Sequence, residues 1–560
     1  MNAQARSSLQ GFLALLVALT LTFSPSISIQ PAAAQAGVEI PVTTTADVIA
    51  DDSACSLREA VLAANSDSPV GGCPAGSGAD TILLPAGTYT LALPGRTEDD
   101  GRTGDLDIHA DLTLRGAGAD LTVIDGARLD RILQVHAGQV LIAGLALTNG
   151  QAGEHSQEER EPGGAVHNAG TLTLEDVLVT RNFNENMLGY AGGLFNSGSL
   201  TLLRSRVVDN WTEHEGGGGG IWNEGELLVE DSLLDQNHSY TAAALLNVDN
   251  GTAVLRRTRV TNSGGCFERG AISNYGRLEI DQSDINHNDC EPSGALYSQG
   301  ELIITGTRLD HNTSLFGWAF ELSGQAEIRD SSFTRNAGAL RWKSGSLLLA
   351  NTTITGSGHP DGTGALLVEG GTVDLVHASL LLNQRALTLA GGETRLANSL
   401  LAGSRSEQDP AADLQLSGGS LVSLGGNLVD IIGETGFPDG EGDQFGTPAA
   451  PLDPLVGPLT PGGRTDYFPL LPGSPAIDRG REENCLPADQ LGALRPADGD
   501  GDGQAACDVG AVEAPGIQQN PGQDPTPGPL PDPTQPPAPE PPPTGGDDRM
   551  RIYLPMLSAG

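Results

Sequence analysis

The chain is poor in aromatic and in basic residues. Of its 560 residues only 4% are Phe, Trp or Tyr, and 30 Lys and Arg stand against 71 Asp and Glu, a formal net charge of −41. Phosphate backbones and anionic membrane surfaces repel such a chain, so neither nucleic acid nor a membrane surface is an expected partner. The 76 Gly and 36 Pro residues favour many short strands joined by turns over a set of ordinary globular domains.

Long apolar runs are missing beyond the first residues. The run GFLALLVALTLTF at 11–23 follows Arg6 and precedes small residues with cleavage points after Ala34 or Ala36. It is too short to span a bilayer and has the pattern of a secretory signal. We therefore predict an exported protein, extracellular or at the cell surface, that is monomeric and has no transmembrane helix.

Cysteine is also scarce, and its spacing is informative. The six cysteines fall into three local pairs, Cys55/Cys73, Cys266/Cys290 and Cys485/Cys507. Sequence alone permits other pairings. Export favours oxidation, and the closeness of each pair favours three sequential disulfides. A free catalytic thiol would more naturally leave an odd cysteine.

A unit of 24 to 28 residues recurs through the middle of the chain. Each unit runs from a Gly-rich start through a polar residue, often Asn, into two short alternating strands that end near another Asn. These closing asparagines are Asn182, Asn210, Asn237, Asn262, Asn288, Asn312 and Asn336. One unit cannot bury its own apolar face, so the pattern predicts stacked coils of an all-β parallel β-helix. The asparagines are expected to form a ladder at a turn, where Asn tolerates left-handed backbone.

Insertions between the closing Asn and the next Gly-rich start are the candidate binding loops. Loops from one corner of successive coils should line one edge of the solenoid. Two of these insertions, SGGCFER (263–269) and DCEPS (289–293), carry Cys266 and Cys290. The polar candidates for binding on this edge are His155, Glu213, His214, Glu215, His359 and Asp361.

Acidic pairs within the repeat have a structural explanation. Glu175–Asp176 and Glu230–Asp231 occupy a repeat position where other units carry Arg or Asn, which indicates corner residues. No catalytic residue is assigned.

The block CSLREAVLAAN at 55–65 predicts a short helix that caps the first coil. Ser56 and Glu59 form the S-x-x-E pattern of a capping box, in which each side chain bonds the other's backbone N–H. The apolar residues that follow have helical spacing, and Asn65 can end the helix. A Cys55–Cys73 disulfide would staple this cap, with Arg58 facing solvent.

A second candidate site lies in DGDGDGQAACD at 498–508. Asp498, Asp500 and Asp502 at alternate positions, with Gly at the sixth, match the first half of a calcium loop. Val509 stands at the twelfth position in place of the bidentate Glu, although Asp508 is adjacent. The sequence predicts Ca²⁺ on these four aspartates as its one cofactor, with a solvent-exposed acidic turn as the alternative.

Three segments carry a family resemblance. CSLREA, preceded by VTTTAD (42–47), resembles the motif of CSLREA exported bacterial proteins, and the repeats are similar to those of polymorphic outer-membrane proteins. FPLLPGSPAIDRG (468–480) and CDVGAVE (507–513) resemble the choice-of-anchor Q module. The resemblance implies secretion and a right-handed parallel β-helix of pectin-lyase-like fold. It supplies no catalytic residues.

The expected organisation follows from these segments. The predicted parts are a signal peptide (1–36), the CSLREA cap (37–79), the β-helix (80–435), the anchor-like module (436–514), a stiff Pro-rich linker (515–548) and an apolar tail (549–560). The leading function is a structural, adhesive or glycan-binding role, with a polysaccharide or cell-surface glycan as partner. The alternative is a polysaccharide lyase or glycoside hydrolase acting on acidic polysaccharide. Three or more carboxylates and a basic residue converging on one face would favour that enzyme.

Overall fold

A computed structural model describes residues 37–96, 98–153, 161–187, 189–213, 215–315, 317–405, 413–432 and 436–516. These residues belong to one compact unit. The predicted signal peptide, the tail and all but the first two residues of the Pro-rich linker lie outside the described residues.

The chain winds into stacked coils whose strands form three parallel faces, which confirms the predicted β-helix. Face 1 comprises Leu106–Ile108, Leu133–Val135, Val166–Asn168, Leu194–Asn196, Ile221–Asn223, Leu245–Asn247, Ile272–Asn274, Ser293–Ser298, Leu366–Val368, Leu387–Leu389 and Leu414–Leu416. Face 2 comprises Glu39–Pro41, Asp80–Leu83, Leu112–Arg115, Gln139–Ala143, Thr171–Glu175, Ser199–Leu203, Glu226–Glu230, Thr252–Arg256, Arg277–Asp281, Glu301–Thr305, Thr372–Val376, Glu393–Ala397 and Ser420–Ser423. Two long strands, Trp318–Arg329 and Leu340–Ala350, run across faces 1 and 2.

The third face closes each coil. It comprises Gly87–Thr90, Thr122–Asp125, Ala146–Thr148, Leu178–Thr180, Arg206–Val208, Leu233–Asp235, Arg259–Thr261, Asp284–Asn286, Arg308–Asp310, Ser332–Thr334, Thr353–Thr355, Ser379–Leu381, Leu400–Ala402, Leu428–Val429 and Gln444–Phe445. Short strands at Gln151–Ala152, Phe183–Asn184 and Trp211–Thr212 begin the inserted loops and stack along one edge, as predicted. Inward side chains of all three faces form one continuous apolar core, because strand residues alternate between the two sides.

Two asparagine ladders run along the coils. The predicted ladder joins Asn182, Asn210 and Asn237, and then Asn288, Asn312 and Asn336, with amide-to-amide bonds of 2.9–3.1 Å. A second ladder joins Asn168, Asn196, Asn223, Asn247 and Asn274 and ends on Ser298, with bonds of 2.7–3.0 Å. Both ladders are buried, so each amide replaces water as the partner of its neighbours.

The prediction for Asn262 is wrong. Ser263 takes the ladder position and donates its backbone N–H to Asn288 at 3.1 Å. Asn262 has a left-handed backbone (φ 50°), and its side chain bonds Asp235 at the surface. The residue with the left-handed backbone thus comes directly before the ladder residue. The sequence pattern had assigned both the left-handed turn and the ladder bond to one asparagine.

The predicted N-terminal helix spans Leu57–Ser66 and has the predicted capping box between Ser56 and Glu59. It packs against Leu106–Ile108 and Asp80–Leu83, and the predicted Cys55–Cys73 disulfide is formed. Two details differ from the sequence prediction. The helix ends at Asp67 in a left-handed conformation, and Arg58 is fully buried because it bonds groups beyond the helix.

The other two predicted disulfides, Cys266–Cys290 and Cys485–Cys507, are also formed. Cys290 lies in the inserted loop 289–293, as the sequence indicates, and its side chain turns inward to its partner. Cys290 is only 1% exposed and Cys266 only 2%, and the two form a small buried cluster with two alanines. The cause is the parallel pairing of Gly264 with Asp289 in the two successive loops, which draws the adjacent cysteines together under the edge. Cys290 is therefore a buried cross-link between coils and does not belong to the loop-edge surface.

Residues 436–516 pack against face 3. This segment contains the antiparallel pair Thr460–Pro461 and Asp466–Tyr467 and the 3₁₀ turn Glu482–Asn484. Asn398 at a coil corner exchanges two hydrogen bonds with the backbone of Arg481, at 2.7 and 3.0 Å. Apolar side chains of residues 436–516 form a cluster with Leu381, Leu400 and Leu428 of face 3. The segment therefore covers the flank of the later coils.

The ladders predict that replacing a ladder asparagine destabilises the protein far more than replacing an exposed one. Replacing Asn210 with Ala leaves the buried backbone N–H of Asn182 without its acceptor and removes the amide-to-amide bonds to Asn182 and Asn237, so we expect the free energy of unfolding in urea to fall by about 1–3 kcal/mol. Asn250 is exposed in a turn, and Asn250→Ala should change that free energy by less than about 0.5 kcal/mol. Equal effects of the two substitutions would contradict a structural role for the ladder.

Candidate functional sites on face 1

The middle residue of each short face 1 strand points away from the core, and in-register pairing aligns these residues in one row. From the first coil onwards the row is Asp107, Gln134, His167, Phe195, Trp222, Leu246, Ser273 and Tyr297. On each strand the residue before the row residue lies in the apolar core, and from His167 onwards the residue after it is a buried member of the second ladder. The row changes from polar at its head to aromatic in its middle. We call it the face 1 row.

The aromatic part of the row is extended by neighbouring loops. Tyr190 packs on Trp222 with ring centroids 4.4 Å apart, and Phe195 lies 6.4 Å from each of these rings. Arg269 lies 5.0 Å from the ring centroids of both Tyr275 and Tyr297. Aromatic faces beside polar groups are typical of surfaces that hold a ligand with both apolar and hydroxylated sides.

An open cleft of about 530 Å³ lies over this part of the row. Its lining residues include apolar and aromatic side chains as well as polar ones. They are Trp222, Glu224, Thr241, Leu246, Val248, Asp249, Asn250, Glu268, Arg269 and Tyr275. Trp222 donates its indole N–H to Glu224 at 3.0 Å, which fixes the ring at the edge of the cleft.

At the head of the row, three buried aspartates gather around one arginine. Asp105, Asp107 and Asp130 are each at most 3% exposed, and Arg131 forms an ion pair with Asp105. Burial raises the pKa of Asp107 to about 6 and that of Asp130 to about 7, and the charge of Asp105 adds to both shifts. Burial and the nearby Arg131 lower the pKa of His167 to about 4. We call Asp105, Asp107, Asp130 and Arg131 the acidic head.

A loop at residues 98–104 covers the acidic head, and Arg58 of the capping helix holds that loop. Its guanidinium donates to the carbonyl oxygens of Gly101, Gly104 and Asp105 at 2.8–3.0 Å. The same group forms a two-pronged ion pair with Asp47 at 2.7 and 3.0 Å. Burial opposes ionisation of Asp47, but the hydrogen bonds and charge of Arg58 outweigh it and lower the pKa of that carboxyl.

Asn65 holds the strand that carries Asp107. Its side-chain amide donates to the Asp107 carbonyl at 2.7 Å and accepts the backbone N–H of His109 at 3.0 Å. The CSLREA block therefore does more than cover the first coil. Arg58 and Asn65 together place the loop and the strand from which the acidic head is built.

Two histidines adjoin the acidic head. His136 Nε2 lies 2.7 Å from Asp107 Oδ1, and the His136 and His109 rings stack with centroids 4.3 Å apart. His109 Nε2 in turn bonds the carbonyl of Asp99 at 2.8 Å. Side-chain atoms of Asp99, Asp107 and His136 lie within 4.8 Å of one another.

The structure does not bring the predicted loop residues together. Glu213 and Glu215 are exposed on an early loop, whereas His359 and Asp361 pair at 2.7 Å on a late one. The His359 ring stacks on Trp318 with centroids 4.9 Å apart. His155 and His214 lie outside the described residues. The loop edge therefore offers separate polar loops, and ligand binding there stays a prediction.

The cysteines contribute cross-links and no reactive group to these sites. All six cysteines lie among the described residues, and each is part of a disulfide. Cys290 in particular is closed off by its bond to Cys266 under the loop edge. Cys485 and Cys507 lie near His377, but their sulfur atoms bond each other. A disulfide holds no thiolate that could attack a substrate or bind a metal.

The predicted calcium loop is only partly assembled. Asp498 and Asp500 lie together with Asp478, a residue that the motif did not include. Asp508 is instead fully buried and accepts the N–H groups of Asp478 and Ala514, and burial raises its pKa to about 7. Asp502 caps its own turn by accepting from Gln504 at 2.8 Å. Calcium binding at this loop stays a prediction.

The face 1 row was open to sequence reasoning, but the acidic head was not. In the repeat units the row residue comes directly before the polar residue of the second ladder, as in LFN, IWN and LYS. An alignment of the units could therefore have predicted which residues form the row. Asp105, Asp107 and Asp130 precede the recognisable repeats, and only the coil brings them together. No signal in the sequence pairs them.

Arg58 should be a major stabilising residue. Arg58→Lys replaces a planar fork by a point charge that cannot reach Asp47 and the loop carbonyls together, so we expect a loss of about 3–5 kcal/mol in the free energy of unfolding. Arg257 makes a similar two-pronged pair with Asp231 at the surface, and Arg257→Lys should change that energy by less than about 1 kcal/mol. If Arg58→Lys lowered the free energy of unfolding as little as Arg257→Lys does, the covering loop would not depend on Arg58.

The acidic head should make stability fall with rising pH. Between about pH 4 and pH 7, folded Asp130 binds its proton more tightly than the unfolded residue does, so deprotonation favours unfolding. Asp130→Asn removes this contribution. We expect urea unfolding at pH 4.5, 6 and 7.5 to show a shallower decline in the variant than in the wild type. Parallel pH profiles would show that Asp130 titrates normally.

Comparison with known proteins gives a fold likeness only. No protein-family model and no curated protein matches the chain. The catalytic unit of a thermostable GH87 alpha-1,3-glucanase from Streptomyces thermodiastaticus strain HF3-3 is 14% identical, with a TM-score of 0.36 over 66% of this chain and 64% of that one. The A-module of the Azotobacter vinelandii mannuronan C-5 epimerase AlgE6 is 12% identical, with a TM-score of 0.28 over 67% and 97%. Similarities this low assign no function.

Proposed function

We propose that face 1 binds a neutral polysaccharide and that the protein is an exported, glycan-binding β-helix. The observation that supports this most directly is the aromatic stretch of the face 1 row, beside an open cleft. Three disulfides are typical of proteins of oxidising compartments, in keeping with export. No helix among the described residues is long and apolar enough to span a membrane.

The geometry of the row suits a long, repeating ligand. Neighbouring coils are about 4.8 Å apart, close to the length of one sugar unit in an extended polysaccharide. A chain lying along the solenoid would therefore meet one row residue per sugar. Sugar rings present apolar C–H faces that pack on aromatic rings such as Trp222, while their hydroxyl groups can bond the polar side chains of the cleft.

The charge of the cleft indicates a neutral ligand. Glu224, Asp249 and Glu268 line it, and Arg269 is the only cation among its lining residues. The chain as a whole carries a formal charge of −41. An anionic polysaccharide would be repelled by this surface at low and moderate salt. This departs from the acidic substrate that the sequence suggested for an enzyme.

Cleavage or modification of the glycan is the second candidate function. The acidic head supplies three carboxylates and an arginine beside the row, and burial raises the pKa of Asp107 to about 6 and that of Asp130 to about 7. Such unequal carboxyl groups are what general acid–base chemistry requires. The covering loop leaves these aspartates at most 3% exposed, whereas the aromatic stretch borders an open cleft. Binding is therefore the better supported function.

A polysaccharide panel tests the proposal. Purified protein should be retained by at least one neutral polysaccharide among glucans, mannans and xylans, and less by polygalacturonate or alginate at equal salt. Trp222→Ala should weaken that binding about tenfold or more, because central aromatic residues dominate most binding surfaces. Affinity electrophoresis or calorimetry gives the dissociation constant.

A second tryptophan provides the matched control. Trp211 is also partly exposed but lies on the loop edge, against Phe183 and Arg128. Trp211→Ala should leave the affinity unchanged. Retention by no neutral polysaccharide, or equal losses in both variants, would overturn the proposal. Release of reducing ends or unsaturated sugars in the same incubations would instead establish the second candidate.

A further inference from the structure

We propose that Asp99, Asp107 and His136 bind a divalent transition-metal ion, Zn²⁺, at the head of the face 1 row. This inference does not depend on glycan binding. The three residues come from the covering loop, from the first face 1 strand and from the turn after the second. Their ligand atoms lie within 4.8 Å of one another.

The carboxylate of Asp107 lacks a partner on one side. Asp107 is fully buried, and its Oδ2 atom has no hydrogen bond from any described residue, while Oδ1 faces His136. A buried carboxylate oxygen without a donor is unfavourable. A cation between Asp107, Asp99 and His136 would give Oδ2 the partner it lacks.

A second buried atom supports the same conclusion. Gln134 Oε1 also has no hydrogen bond from the part of the chain that the structure describes, while the amide nitrogen of Gln134 lies 3.3 Å from His136 Nδ1. With its side-chain amide turned over, Gln134 points Oε1 at His136 Nδ1. The ring would then carry its proton on Nδ1 and donate it to Gln134, and Nε2 would be free to bind a metal.

This arrangement is the one that metal-binding histidines use. Such a histidine usually donates its second ring N–H to an oxygen acceptor, which sets the tautomer and the ring direction. Here an ion at Nε2 would give Asp107 Oδ2 a partner, while the turned amide of Gln134 would accept the N–H at Nδ1. A metal ion binds only the unprotonated Nε2, so binding would weaken at low pH.

The ligand set selects the type of ion. Ca²⁺ and Mg²⁺ prefer oxygen ligands throughout, whereas imidazole with carboxylates suits Zn²⁺ and its transition-metal neighbours. Three protein ligands leave the fourth position of a tetrahedral zinc site open. Because Asp99 is exposed on the loop that Arg58 holds, binding would add a second attachment between that loop and the acidic head.

Zinc binding to the full-length exported protein, stripped with a chelator, tests the inference. We expect one Zn²⁺ per chain by calorimetry at pH 7.5, with a rise in thermal midpoint and no comparable binding of Ca²⁺ at this site. His136→Gln should weaken binding at least 100-fold, and Gln134→Leu should weaken it 10- to 100-fold through the lost acceptor.

A second stacked histidine pair is the matched control. His311 bonds Asp310 at 2.7 Å and stacks on His287 with centroids 5.1 Å apart, as His136 does with Asp107 and His109. This pair is not part of a cluster of three ligands among the described residues. His311→Gln should bind Zn²⁺ like the wild type. Absent stoichiometric binding, or equal losses in His311→Gln and His136→Gln variants whose metal-free thermal midpoints match the wild type, would overturn the site.

Discussion

The structure depends on one constraint, the in-register main-chain pairing of every coil with the next. Because parallel strands pair in register along all three faces, apart from local shifts at Ser293/Leu296 and Leu322/Gly324, a residue at a given position of one coil lies beside the same position of its neighbours. Each position of the repeat therefore becomes a column. The core, the asparagine ladders, the left-handed corners and the face 1 row are all columns of this kind, and each has the chemistry that its position demands.

Columns explain both the regularity of the molecule and its one polarised surface. Ladder positions accept little change, because an amide must bond both neighbours inside a dry core. Row positions face outward and can vary without loss of pairing. Variation along the row has produced an acidic head, an aromatic middle and, further along, the ion-paired Glu321 and Arg341. A ligand that follows the row would meet these environments in order.

Much of this could be read from the sequence, and the failures share a cause. The period, the ladder, the capping box and the disulfide pairs are local or repetitive signals, and the structure contains them. The mistaken ladder position at Asn262 arose because Asn suits both a left-handed corner and a ladder. Cys266 and Cys290 were paired correctly, but loop composition does not show that their two successive loops also pair with each other. Arg58 was misjudged because the carbonyl oxygens that it bonds lie more than 40 residues away, in a segment with no repeat pattern. The acidic head was missed for the same reason.

The buried Arg58 and the buried aspartates both lie at the start of the solenoid. The first coil has no preceding coil to bond its backbone groups, and open sheet ends invite aggregation. Arg58 meets this need by donating to several irregular carbonyls at once, with Asp47 balancing its charge. The loop it fixes then buries three aspartates against a single arginine, an excess of negative charge that a hydrophobic cap would not need. Such an excess is costly for folding alone, and a cation bound to Asp107 would reduce that cost by balancing part of the buried negative charge.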